Sequence, residues 1–168
     1  MIKMLRIDDR LLHGQVVFMW TKQLGVKGII VANDDILNDP IQLVAVKLAV
    51  PEHIKLLIKP VEDAIRIINN PKGQSMSILV VVKDPIDAAR LLEGITDPSS
   101  IAVMNIGNSG RIDKRDKKVL TKEVYVDEAD IAALQKLLTY QIPFEIQMVP
   151  TNNKINVKDA LKHFKEEE

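Results

Sequence analysis

Hydrophobic residues along this chain fall into short runs, broken at most by single polar residues and separated by longer stretches in which they recur every three or four positions. The runs are Ile2 to Ile7, Gly28 to Ala32, Ile54 to Ile58, Ile78 to Val82 and Ile101 to Ile106. They have the length of strands and, being nearly continuous, suit burial on both faces of a sheet. Between them, helical spacing links Val16, Met19/Trp20 and Leu24, and then Ile41, Val44, Ala45 and Leu48 on one face of a helix from about Pro40 to Ala49. Pro60 opens a helix through Ile65 and Ile68 that Pro71-Lys72-Gly73 closes. Asp84 caps the next, with Pro85 at its first position and Gly94 at its end. Val119-Leu120 and Val124-Tyr125-Val126 are short strand candidates. Asp127 caps a helix carrying Ile131, Leu134 and Leu138, Phe144 to Val149 alternates as an edge strand does, and a short helix starts at Val157.

This alternation predicts an α/β fold: an open, mostly parallel central sheet with helices on both faces and an antiparallel edge strand near the C-terminus. Ile78 to Val82 has the most continuous β-branched content, which puts it in the middle of the sheet as a neighbour of the first strand, with Ile101 to Ile106 next to it. No repeat, low-complexity segment or linker divides the chain, so residues 1–168 form a single domain.

The chemistry is concentrated where the first strand gives way to the first helix. Asp8, Asp9, Arg10 and His13 lie within six residues, Arg6 just precedes them and Gly14 follows. A plain strand-to-helix turn needs a cap and little else, and Asp8 or Asp9 can be that cap, with Arg10 a surface cation. The density of polar groups argues for a site, because open α/β sheets bind ligands at the carboxyl ends of their strands. His13 falls beside the first helical turn, where N–H groups such as those of Gly14 and Gln15 lack intrahelical acceptors and the helix dipole favours an anion. Gly14 leaves the backbone open to close approach. Arg10 can offer a planar fork to phosphate oxygens. Asp8 or Asp9 can accept from one imidazole nitrogen and leave the other free as a nucleophile.

The string Arg6-Ile7-Asp8-Asp9-Arg10-Leu11-Leu12-His13-Gly14-Gln15-Val16 resembles the phosphorylation-site signature of enzyme IIB components of bacterial sugar phosphotransferase systems, in the mannose/fructose/sorbose class. The likeness extends over nearly the whole chain, through Asn105-Ile106-Gly107 and Gln147-Met148-Val149-Pro150. It implies that His13 takes a phosphoryl group on Nδ1 from the phosphohistidine of a IIA component and passes it to a sugar entering through membrane-embedded IIC and IID components; spacing alone does not choose between the two ring nitrogens. The family usually carries a glycine pair after the Asn-Val/Ile turn. Here Asn108 takes the second glycine's place, so any positive φ required there has to be adopted by Asn.

Composition narrows the alternatives. With 23 basic and 23 acidic residues the formal net charge is zero, which argues against a general grip on nucleic acid. There is no cysteine, which removes disulfides, thiolate metal sites and a phosphocysteine mechanism. No phosphate-binding loop of the nucleotide-hydrolase type or dinucleotide glycine fingerprint is present, no metal-ligand spacing stands out, and no cofactor is expected. The start lacks the apolar core of a signal peptide and no window approaches a membrane span, so a cytoplasmic protein is expected; the resemblance implies that IIC and IID partners recruit it to the inner membrane face.

A second stretch, Gly107-Asn108-Ser109-Gly110-Arg111, follows a strand on the same side as His13 and offers N–H groups, a hydroxyl and a cation. It is either a phosphate-facing nest or an ordinary Gly/Asn turn, and Arg111 either a second clamp or part of the solvated run to Lys118. The topology predicts that Ser109, Arg111 or an N–H near Gly107 comes within reach of a phosphoryl group on His13. His53 has no acidic cluster nearby and is assigned to structure or surface, and His163, in the polar C-terminal segment, is assigned to the surface. Leu11, Leu12 and Val17 are either docking residues or core. Competing readings of the whole are a IIB-like phosphorylation sensor and a ligand-binding module. The sugar's identity and self-association stay open.

Overall fold

The computed structural model describes residues 1–112 and 116–167. In chain order the elements are β1 (Ile2–Ile7), α1 (Gly14–Leu24), β2 (Gly28–Ala32), α2 (Pro40–Ala49), β3 (Lys55–Lys59), α3 (Val61–Asn69), β4 (Ile78–Val82), α4 (Pro85–Gly94), β5 (Met104–Ile106), β6 (Lys118–Thr121), β7 (Val124–Val126), α5 (Glu128–Leu138), β8 (Phe144–Ile146), β9 (Ile155–Asn156) and α6 (Val157–Glu167). Among the described residues the main sheet has the order β3-β2-β4-β1-β5-β8-β9, parallel except for the last pair, and β6 and β7 form a separate antiparallel ribbon.

Because side chains alternate across a strand, each central strand feeds two cores. Ile30 and Ala32, Leu5 and Ile7, and Val80 and Val82 face α3, α4, α5 and α6. Ile29 and Val31, Met4, and Leu79 and Val81 face the other way, towards Val17 and Trp20 of α1 and Val46 of α2. The predicted α/β layering is therefore present, with helices on both faces.

Three details differ from the sequence reading. The strand β5 does not lie beyond β4: β1 sits between them, pairing with β4 through Ile7↔Val82 and with β5 through Ile7↔Ile106. The segment from Phe144 is not the edge; β8 runs parallel to β5, and the antiparallel edge is the two-residue β9 behind it. In α2 the regular stripe of Ile41, Val44 and Leu48 faces solvent, while Val46 is buried. Residues 113–115 of the charged stretch from Arg111 to Lys118 lie outside the described residues; Arg111 and Lys118 are exposed, and Lys117 pairs with Asp130 at 2.7 Å.

Since β1, β4 and β5 are parallel, the segments after Ile7, Val82 and Ile106 emerge on one rim. The chain reverses its progress across the sheet at β1, the arrangement that opens a crevice at the strands' carboxyl ends. A groove of about 830 Å³ lined by Met1, Ile2, Gly28, Met76 and Ile78 lies at the amino ends of the strands, away from that rim.

Candidate active site

Beyond β1 the backbone stays stitched to both neighbours: Asp8 N–H donates to Val82 O and Asp9 N–H to Asn108 O, each at 2.9 Å. The chain then turns sharply, with Leu11 N–H donating to Asp8 O at 2.9 Å and Leu11 itself at φ +61°. A left-handed leucine is disfavoured by roughly 1–2 kcal/mol. Burial of Leu11 and Leu12 beside Val17 in the α1-side core offsets that strain, so all three are core residues and none forms a docking surface.

The turn delivers His13 in extended backbone, φ −135° and ψ 111°, at the cap position of α1. Its imidazole is exposed and makes no hydrogen bond among the described residues. Val17 N–H donates back to His13 O at 3.1 Å, while no side chain caps the turn and its first residues include no acid. Gly14 and Gln15 are exposed there, and nothing lies within 4 Å of where a Gly14 Cβ would be. The positive end of α1 is thus open beside the imidazole.

Beneath His13 lies a buried polar network that sequence reasoning largely missed. Asp8, almost fully buried, accepts from two guanidinium groups: Arg6 Nη2 at 3.0 Å and Arg10 Nε at 3.3 Å. Arg6 also donates Nη1 to the Asn105 side chain and to Gln147 O, donates Nη2 to Met148 O at 3.0 Å, and lies over the Trp20 ring at 5.5 Å. Trp20 Nε1 donates to the same Met148 carbonyl at 2.9 Å. Burial lowers the pKa of the Arg6 guanidinium, and the adjoining Asp8 carboxylate works against that fall. A guanidinium remains charged through such a shift, so the buried Arg6-Asp8-Arg10 cluster carries one net positive charge.

Arg10 is part-buried and held along one edge. Its Nε and Nη2 reach Asp8, its Nη2 meets Met148 Sδ at 3.3 Å, and with the Asn108 amide turned to satisfy both groups, Asn108 oxygen accepts from Nε and Nη2 at 3.0 Å. Its Nη1 has no partner among the described residues. Asn108 is not a stand-in for a left-handed glycine, since its φ is not positive.

The expected partners of the imidazole are elsewhere. Asp8 holds the two arginines, and Asp9 accepts the N–H groups of Arg111 at 2.9 Å and Ile112 at 3.2 Å. These bonds bring the 107–112 loop against the His13 turn, on the same rim as the topology predicts. The nest's donors, however, are largely engaged. Gly107 N–H donates to Ile7 O and Ser109 N–H to Glu123 O, while Ser109 O accepts from Tyr125 N–H of β7. Gly107 has a different purpose: a Cβ there would lie 2.1 Å from Arg6 Nη2 and 2.6 Å from Asp8 Oδ2. The exposed Arg111 side chain remains as a mobile-length cation at the rim. His53 and His163 are exposed and remote in the fold, His163 pairing with Glu167.

Arg6 and Asn105 could have been found from one signal, a polar residue between apolar neighbours of a strand, where burial demands a partner, whereas Gln147, in an alternating segment, and Trp20, on a helix, carry no such mark.

Known proteins resemble this chain in sequence and in fold. Residues 2–168 match the family model described as the PTS system sorbose subfamily IIB component. The chain is 34% identical over 162 residues to a probable phosphotransferase enzyme IIB component of Streptococcus pyogenes, covering 96% of this chain and 99% of that protein. It is 32% identical to the mannose-specific EIIAB component of Escherichia coli, where the match covers 95% of this chain and 48% of the longer protein. Among solved structures, the IIBSor domain of the sorbose permease from Klebsiella pneumoniae superposes with a TM-score of 0.87 at 30% identity, over 96% of each chain.

Proposed function

Because this chain belongs to the sorbose subfamily of phosphotransferase-system IIB components, we propose that it relays a phosphoryl group through His13, from a phosphohistidine on a IIA partner to a sugar entering through IIC and IID. The observation that carries the reading is an exposed imidazole, without a hydrogen-bond partner among the described residues, beside the open positive end of α1 and beside a pre-positioned Arg10. With no cysteine in the chain, a thiolate acceptor is excluded, which leaves the His13 imidazole as the nucleophile of the turn.

In the first step the lone pair of a neutral His13 nitrogen attacks phosphorus in line. A new N–P bond forms as the N–P bond of the donor histidine breaks, and the donor departs as neutral imidazole. In the second step a sugar hydroxyl attacks the same phosphorus, an O–P bond replaces the His13 N–P bond, and the hydroxyl proton is released. Both steps need positioning and charge stabilisation on the equatorial oxygens more than covalent assistance. Arg10 Nη1 and the free N–H groups at Gly14 and Gln15 supply these donors, with Arg111 as the more distant cation. Asp8 and Asp9 act through others: Asp8 by fixing the arginines, Asp9 by holding the 107–112 loop. The family resemblance assigns the phosphate to Nδ1, and transient docking at the cytoplasmic membrane face follows from the need to meet two partners in turn.

The test is phosphorylation by a phosphorylated IIA protein, with acid-labile phosphate located by mass spectrometry. His13→Ala is expected to lose acceptance, and His53→Ala and His163→Ala to keep it. Phosphate found on His53 or His163 refutes the assignment. Failure of the phosphorylated wild type to yield sugar phosphate with IIC/IID membranes refutes the second step alone.

A further inference from the structure

We propose that the exposed apolar face of α2 is a self-association surface, across which two copies of this chain pack about a two-fold axis. The proposal is independent of the phosphoryl chemistry. Val46 anchors α2 to the sheet, with Leu43, Ala49 and Val50 packed around it. The opposite face contributes nothing to that core, yet it is apolar: Ile41 is 85% exposed, Val44 55% and Leu48 80%, and Leu37 just before the helix is 46% exposed. Together these expose on the order of 500 Å² of apolar surface, a patch of the size that marks an interaction site. It also matches the apolar share of the roughly 800 Å² each partner contributes to a standard interface.

The occupant is argued from the pattern itself. Ile41, Val44, Ala45 and Leu48 read alike from either end, large residues outside and small ones inside. A two-fold axis at Val44/Ala45 sets the helices antiparallel, with Ile41 of one copy against Leu48 of the other and the small pair where the helices approach most closely. The charges follow the same symmetry. Exposed Lys47 lies towards the C-terminal end of α2, while Asp39 caps its N-terminus and Asp35 precedes it, so antiparallel packing directs each lysine to the acidic end of the other helix. A formal net charge of zero leaves no long-range repulsion between copies.

Sedimentation equilibrium over the micromolar range tests this on the intact chain. The wild type is expected to dimerise, and Val44→Glu or Leu48→Glu to weaken the dimer roughly tenfold or more with unchanged circular dichroism and melting. Cross-linking gives a second readout. The chain has no cysteine, so Ala45→Cys can form a disulfide only between copies; oxidation is expected to give covalent dimer there but not for exposed Lys158→Cys on α6. A wild type that stays monomeric, including one whose α2 face binds only a membrane partner, overturns the proposal. So does a dimer indifferent to both glutamates, or equal cross-linking at the two positions.

Discussion

Replacing Gly107 by alanine exchanges one hydrogen for a methyl group, and the structure makes that change a severe one. The new Cβ would stand 2.1 Å from Arg6 Nη2, where ordinary contact begins at 3.4 Å, so the guanidinium must retreat by about 1.3 Å. A retreat of that size breaks two hydrogen bonds of 3.0 Å, to Asp8 Oδ2 and to Met148 O. Bonds to a charged group contribute about 1.5–3 kcal/mol each, and separating a buried ion pair is disfavoured by about 3–5 kcal/mol, so a loss of about 3–5 kcal/mol is expected. For a domain of this size that lowers Tm by about 6–20 °C. Gly14→Ala is the control, since its Cβ meets open space; it should be neutral or stabilising by up to about 1 kcal/mol. Urea unfolding of both variants measures the difference, and phosphoryl acceptance by folded Gly107→Ala shows how far the defect reaches Arg10. If Gly107→Ala melts within about 2 °C of wild type, the reasoning from the buried cluster fails.

Three further outcomes follow from the same geometry. Arg10→Lys keeps a charge but loses the planar edge held by Asp8 and Asn108, so phosphoryl acceptance should slow by roughly tenfold or more with under about 2 kcal/mol lost in stability; unchanged single-turnover rates would make Arg10 a bystander. Trp20→Phe keeps a ring near Arg6 but removes the donor to Met148 O, and should lower urea-unfolding stability by about 1–3 kcal/mol. Burial, and then the neighbouring Asp84 charge, push the Asp87 carboxyl up to about 6 against the opposing pull of Arg90. Its native form therefore holds a proton that the unfolded chain releases near pH 4, and its contribution to stability falls as pH rises from 4 through 6. Asp87→Asn should accordingly gain about 1–2 kcal/mol at pH 7.5 and nothing at pH 4, with carboxyl carbon NMR of the wild type locating the midpoint.

The strand-and-helix alternation and the His13 turn were legible because both are local: a run of apolar residues, a cap, a cluster of charges. What escaped was set by tertiary contact. Arg6 looks like the polar end of a strand until Asn105, Gln147 and Trp20, distant in sequence, are seen around it. Asp8 and Asp9 look like imidazole partners until Arg6, Arg10 and the Arg111 backbone claim them. In α2 nearly every position is apolar, so periodicity defines two competing faces; only the sheet decides that Val46 turns inwards and Val44 outwards. At Gly107 the sequence left a nest and an ordinary turn both open for a related reason, because a glycine that makes room for a neighbouring side chain cannot be told by sequence from one that makes room for a ligand.

In the proposed relay, the arrest of Arg10 along its Nε/Nη2 edge bears on how long a phosphoryl group would stay on His13. A guanidinium free to close both arms would hold the group with two strong bonds and deepen the well in which it rests. With that edge already taken by Asp8 and Asn108, Nη1 offers one such bond fewer, a difference of about 1.5–3 kcal/mol, or roughly ten- to a hundredfold in residence time. A carrier that must surrender its cargo to a second partner is served by a shallow well. On the proposed function, the same carboxylate and amide that would keep Arg10 ready for arrival would also keep it from becoming a trap.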